Sequence, residues 1–330
     1  QLVDTDVKQL TKVAAEALVA NRSASAYDIF KNNVIGKDLQ SYKLSTGCKE
    51  IDTILNGGLV YPGVNEICGE SASGKTQLCM QLCLMGKYPN GQPYRGSLYI
   101  CTEDVFPTKR LQQMSQRFYE RNKAKLCFQS LHEVTDDIFI EHVVDIDDLW
   151  TLINARIESL LENSSIKLIV IDSVAALFRA EFEYQDMAER AKLLAKLGQR
   201  LHALSFKYKL CIVTVNQVSD VFDGTSSIVN MDGTRNVAPT LGFTWSYVVN
   251  TRLMLARTKW TVENSSKLKM ASNKVANIQS NIRKLKILFS PHLKEDQCYF
   301  IVDEDGVKDY KTPQGESASK TPQVESASKR

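Results

Sequence analysis

A chain of 330 residues, 43% apolar and 24% charged, can bury a sizeable core in one large domain with a small appendage, and no apolar run in it is long enough for a membrane span. The opening QLVDTDVKQLTKVAAEALV lacks the basic front and long apolar segment of a secretory signal, and the start on Gln1 reads as a piece of a longer protein. Net charge is +3 but unevenly spread: residues 131–150 hold seven acids and no Lys or Arg, whereas 252–286 hold nine Lys or Arg and one acid, Glu263. The basic stretch is either a solvated face or a contact for an anionic partner.

The first 41 residues read as a partial helical segment and linker, with helical apolar spacing in VKQLTKVAAEAL and a second short helix in AYDIFKNN. A core begins near Tyr42 and runs to 310. Its short apolar runs, GVNEIC, SLYICTE, IKLIVIDS and YKLCIVTVNQ, read as strands. Most are separated by helical patterns: TQLCMQLCLMGK, PTKRLQQMSQRFYERN, DLWTLINARIESLLE and MAERAKLLAKLGQRLHALSF. Continuous apolar strands alternating with helices imply an α/β fold, a mostly parallel sheet covered on both faces. WSYVVNTRLML, RKLKILFS and QCYFIVD follow without long helices and predict antiparallel strands along one edge. From Lys311 a nine-residue repeat, KTPQGESAS then KTPQVESAS, has almost nothing to bury and reads as a disordered tail over 311–330.

The eight cysteines include no C-x-x-C pair, and several sit in apolar runs. They read as reduced core thiols in a reducing compartment, cytosol or nucleus. The four histidines are scattered and suggest no catalytic pairing.

GESAS occurs twice. The tail copy has no strand before it and no glycine between Ser319 and Lys320. The first copy continues as GESASGKT, from Gly69 to Thr76, with a strand before it and a helix after it. This is the phosphate-loop pattern, whose backbone N–H groups at a helix N-terminus cradle a polyphosphate. Gly69 and Gly74 permit the backbone path. Lys75 would reach the β- and γ-phosphates, and Thr76 would ligate Mg²⁺. Asp172, at the end of IKLIVIDS, would hold the Mg²⁺ hydration shell. In SLYICTED, Glu103 rather than Asp104 is the candidate base that orients water. Gln217, ending YKLCIVTVNQ, stands where an amide could sense the γ-phosphate.

STGCKEIDTILNGGL, GESASGKTQLCMQLCL, LYICTEDVFPTKRL, LIVIDSVAALFR and VTVNQV, in this order, resemble the eukaryotic branch of the RecA-like recombinase family over residues 5–310. The lead-in GCKEIDTILNGGL and the segment TEDVFPTKRL look most like one of its paralogues. The resemblance implies a RecA-like P-loop ATPase core, an ATP- and Mg²⁺-dependent role in homologous recombination, and a nuclear site of action. It implies a cofactor-binding set of Gly69, Glu70, Ser71, Ala72, Ser73, Gly74, Lys75, Thr76 and Gln77, with Arg110 from the segment near the nucleotide base. It also implies DNA-facing loops, both polar and irregular in sequence, near Arg179 to Arg190 and from Val218 to about Pro239; the second carries only Arg235 as a cation.

Three departures from the family pattern point away from a self-sufficient filament. Ser23 stands where the linker motif has a bulky hydrophobe, although Ala26 is kept. Phe289 stands where an acidic residue caps a neighbour's ATP, and Pro107 replaces an Arg. They imply a hetero-complex with a sister paralogue, the C-type member, docked head to tail. Single-stranded or branched DNA and the main recombinase are further partners, and no membrane is. Two readings stand: a DNA-dependent ATPase, and an ATP-gated interaction subunit with negligible hydrolysis and little direct DNA binding.

Overall fold

The computed structural model describes residues 42–86, 96–103, 105–126, 130–182, 186–221, 233–264 and 278–310. By internal contacts the chain divides into 1–42 and 43–330, and the described elements belong to the second unit but for Tyr42. The expected N-terminal helices, Ser23, Ala26, Asp104 and the repeat tail lie outside the described residues.

Strand β1 (Tyr42–Leu44), helix α1 (Lys49–Ile54) and strand β2 (Leu59–Tyr61) lead into β3 (Gly63–Gly69), α2 (Lys75–Met85), β4 (Gly96–Cys101) and α3 (Thr108–Leu126). Next come α4 (His132–Thr135), β5 (Ile138–His142), α5 (Ile146–Thr151), a π-helical turn (Leu152–Arg156) and α6 (Ile157–Asn163). The centre is completed by β6 (Ile166–Asp172), α7 (Val174–Ala180), α8 (Met187–Tyr208) and β7 (Cys211–Asn216). Short β8 (Val218–Asp220), β9 (Val237–Pro239) and α9 (Gly242–Ser246) precede the long β10 (Thr251–Asn264) and β11 (Ile278–Phe289), then β12 (Gln297–Asp303) and β13 (Gly306–Asp309).

The main sheet has nine strands in the order β13-β12-β11-β10-β3-β7-β6-β4-β5. From β10 to β5 all neighbours are parallel, and from β10 to β13 all are antiparallel. Every residue of β3, β4 and β7 is buried, as strands covered on both faces must be. Helix α8 buries Leu194, Leu197, Leu201 and Leu204 at helical spacing and ends at left-handed Lys209. Ser205 then ties the helix to β3, donating to Leu210 O (2.7 Å) while accepting from Gly63 N (2.7 Å).

The structure departs from the sequence reading in three places. WSYVVNTRLML is not one strand: Trp245 sits fully buried on α9, and β10 starts only at Thr251. Asn250 is the reason. Its Oδ1 accepts from Val64 N (2.8 Å) and its N–H donates to Val64 O (2.8 Å), so the chain clamps onto β3 before extending. β10 is moreover parallel to β3, so the antiparallel wing begins one strand later, at β11. Acid-rich 131–150 hides an edge strand, β5, that alternation did not predict. The second presumed DNA loop is not irregular throughout: β8 pairs with β9 at its base.

The seven described cysteines are free and buried, and burial pushes the Cys83 and Cys211 thiols up to about 12. No described helix is long and apolar enough to cross a membrane.

Candidate functional site

The carboxyl ends of β3, β4, β6 and β7 converge where the chain crosses from β3 over to β4, which is where open α/β sheets hold ligands. A Cβ on Gly69 would stand 2.2 Å from Leu255 O of β10; only glycine lets the two strands close here. Ala72 (φ 60°) and Gly74 (φ 103°) are left-handed, and Ser73 N donates to Glu70 O (3.3 Å). This bends the loop under the first turn of α2, whose positive end faces the cavity.

That cavity, about 820 Å³, is lined by Gly69, Glu70, Ser71, Ala72, Gly74, Lys75, Thr76 and Gln77, together with Glu103, Arg110, Asp172 and Gln217. Ser73 alone of the loop turns its side chain inward; it is 1% exposed and its hydroxyl has no partner. A larger hollow of about 910 Å³ lies toward the other end of α2. There Arg121 and Lys308 both pair with Asp305, so size does not single out a charged site.

Lys75 folds over the loop, donating from Nζ to Gly69 O (2.8 Å) and Glu70 O (2.9 Å). Burial holds its ammonium below the ordinary lysine range, against the pull of Asp172 and Glu103. Asp172 Oδ2 accepts from Thr76 Oγ1 (2.8 Å) and from Tyr99 OH (2.5 Å). Burial raises the Asp172 carboxyl above the usual range, and these two bonds only partly offset it. A hydroxyl and a carboxylate side by side are hard oxygen donors, the set that suits Mg²⁺.

Glu103 Oε1 accepts from Ser173 Oγ (2.7 Å) and from Gln217 Nε2 (2.6 Å). Arg179, in the last turn of α7, donates to Gln217 Oε1. Ser173 also caps α7, accepting from Ala176 N (3.2 Å), and Thr102 Oγ1 donates to Ser173 O (2.7 Å). The candidate base and the candidate sensor, read separately in the sequence, are thus one hydrogen-bonded unit. Arg110 donates to Gln77 Oε1 (2.7 Å) and to the Asp303 and Glu304 carbonyls, joining α3 to α2 and β12 along one wall.

Sequence reasoning missed Tyr99, Ser173 and Arg179, which hold the site's acids and amide, and the Glu66–Arg252 pair beneath it. Glu66 is fully buried, accepts from Arg252 and from Asn216 Nδ2 (2.7 Å), and Asn216 Oδ1 accepts from Thr240 Oγ1 (3.0 Å). A signal was present in NEIC, where a lone glutamate interrupts an apolar strand; a buried acid must find a cation.

A parallel sheet whose carboxyl edge carries this glycine-rich loop, with a hydroxyl on the helix that follows it and a carboxylate at the end of β6, is a RecA-like core of the P-loop ATPase lineage. The Rad51 family model matches residues 38–277, and the chain belongs to that family. It is similar to DNA repair protein XRCC3 of Mus musculus, 35% identical over 309 residues that cover 92% of this chain and 85% of that protein. It is similar also to the XRCC3 homolog of Arabidopsis thaliana, 34% identical over 294 residues, 83% of this chain and 95% of that protein. DNA repair protein rhp57 of Schizosaccharomyces pombe is 30% identical over 251 residues, 68% and 71% of the two chains. As GCKEIDTILNGGL and TEDVFPTKRL lead one to expect, the chain is a recombination paralogue of the Rad51 and XRCC3 type.

Proposed function

We propose that the chain is an ATP- and Mg²⁺-binding paralogue that acts in homologous recombination repair of DNA breaks, in the nucleus. It works in a hetero-complex with a sister paralogue and assists recombinase filaments or DNA junctions. The observation that carries this reading is the meeting of Thr76 and Asp172 at 2.8 Å in the cavity that also holds Lys75. That these relatives are DNA repair proteins supports the biological setting.

In this reading the loop from Gly69 to Gln77 binds the polyphosphate, with Arg110 on the base side. Lys75 releases the Gly69 and Glu70 carbonyls and donates to phosphate oxygens. Thr76 would ligate Mg²⁺ and Asp172 would hold its hydration shell, and the ion would spread negative charge on the transferred phosphoryl group. Ser173 and Gln217 fix one oxygen of Glu103. The other oxygen takes the proton of a water attacking the terminal phosphorus. Gln217, tied to Arg179 at the start of the first presumed DNA loop, links occupancy of the cavity to that loop.

One observation favours the second reading, an ATP-gated interaction subunit with negligible hydrolysis and little direct DNA binding. Phe289, where the family resemblance expects an acidic cap, is half exposed at the end of β11. ATP turnover by the complex with its partner paralogue, with and without single-stranded DNA, separates the two. If Glu103→Gln lowers turnover ~100-fold or more while nucleotide binding persists, Glu103 is the base. Turnover that is no faster in the wild type than in Lys75→Ala, with repair lost only in Lys75→Ala, establishes the gated subunit.

A further inference from the structure

Arg283 of β11 stands opposite Arg257 of β10 and Phe300 of β12. Like charges directly opposed across strands repel, and only one of these arginines has a counter-ion. Arg257 pairs with Glu70 of the phosphate loop (Nε–Oε1 3.3 Å). Among the described residues Arg283 has no acid: its Nη1 donates to Asn281 O of its own strand (3.1 Å), and its Nε is buried without a partner.

The location makes the missing partner informative. A Cβ at Gly74 would lie 3.4 Å from Cδ and 3.6 Å from Nε of Arg283, so the side chain crosses the first turn of α2. It sits at the positive end of a helix and lines the same cavity as Lys75 and Arg110. The acids lining that cavity are engaged elsewhere: Glu70 with Arg257, Asp220 with Arg235, Asp303 with Lys308, Glu103 with Ser173 and Gln217, and Asp172 with Thr76 and Tyr99. Arginine does not shed its proton in a protein. A guanidinium partly desolvated beside a like charge is unfavourable for the fold by itself, and an anion entering the cavity relieves it.

We infer that Arg283 is a phosphate-binding residue: a cation from the antiparallel wing that donates to the polyphosphate of the bound nucleotide. This rests on the nucleotide reading of the cavity and adds to it a recognition element that no part of the loop motif supplies. A DNA backbone phosphate offers the same chemistry. The nucleotide is the favoured source because Arg283 abuts Gly74 of the loop itself.

The test uses the full chain and two substitutions, Arg283→Met, which keeps length without charge, and Arg283→Lys. For Arg283→Met the thermal midpoint without ligand stays level or rises. Its ATP affinity falls ~10–100-fold, the range of a charge-assisted hydrogen bond, and the stabilisation by Mg²⁺-tripolyphosphate disappears. Arg283→Lys recovers part of both. The inference is overturned if ATP affinity stays within about two-fold of wild type, if the ligand-free protein loses stability in step with affinity, or if an oligonucleotide rather than ATP is what binds more weakly. Lys75→Ala is the control: ATP binding equal in wild type and Lys75→Ala sinks the nucleotide reading itself. Binding lost in Lys75→Ala but kept in Arg283→Met sinks only the role of Arg283.

Discussion

Two regions of one sheet treat charge in opposite ways. Between the middle of β3 and the start of β10, fully buried Glu66 is matched by half-buried Arg252, with Asn216 as an additional donor. At the carboxyl edge, half-buried Asp172 has only hydroxyl donors, and half-buried Arg283 has only a backbone carbonyl. The matched pair lies beneath the site, where Arg252 binds the carboxylate of Glu66 across adjacent strands. The unmatched charges, one of each sign beside one cavity, would be matched in the proposed reading by a ligand that is anionic and carries a cation. A polyphosphate with Mg²⁺ has that character.

Breaking the matched side has the largest expected effect. Arg252→Met leaves Glu66 uncompensated and is expected to cost ~3–5 kcal/mol in urea unfolding, whereas Glu66→Leu with Arg252→Met recovers most of that loss. If the single substitution proves harmless, the contrast between the regions fails. On the unmatched side, Lys75→Ala is expected to weaken ATP binding ~100-fold, about 2.7 kcal/mol, while the unfolding midpoint without nucleotide holds steady.

Asp172→Asn sharpens the contrast through pH. Its folded carboxyl titrates above the ordinary value, so its favourable contribution is complete below the unfolded pKa and is lost as pH rises through the folded one. At neutral pH the group therefore weighs against the fold. Asp172→Asn should raise the ligand-free melting temperature at pH 7, with the gain shrinking as pH falls toward the ordinary carboxylate range, and should abolish stabilisation by Mg²⁺ with nucleotide. A ligand-free melting temperature that drops at pH 7 would contradict this account. The smallest effect belongs to Gly74→Ala. The left-handed backbone there costs an alanine ~1 kcal/mol, and calorimetry without nucleotide should find that loss.

The parallel centre was legible because β3, β4, β6 and β7 are short runs rich in Val, Ile and Leu, and the residues that end such runs lie at one edge by topology. Glu103, Asp172 and Gln217 could be proposed on that ground alone. Arg283 could not, being one of nine cations between 252 and 286. Its standing depends on a cross-strand register with Arg257 and on its approach to Gly74, more than 200 positions earlier. Tyr99 was hidden for a similar reason, since an aromatic in an apolar strand reads as core until its hydroxyl is seen to meet Asp172. The misread WSYVVN shows the converse. Apolar residues at a turn look like strand when an asparagine supplies the bonds that a partner strand would have made.

β10 leaves its neighbour early. It pairs with β3 only from Thr251 to Leu255, then runs on to Asn264 against β11. At ~3.3 Å per residue, nine residues make an arm of roughly 30 Å, rooted where Arg257 and Arg283 flank the phosphate loop. The β10–β11 register shifts between Arg257 and Thr261, and a bulge there bends and twists the arm just past its root. Whatever meets the arm therefore meets strands continuous with the two arginines that flank Glu70 and Gly74.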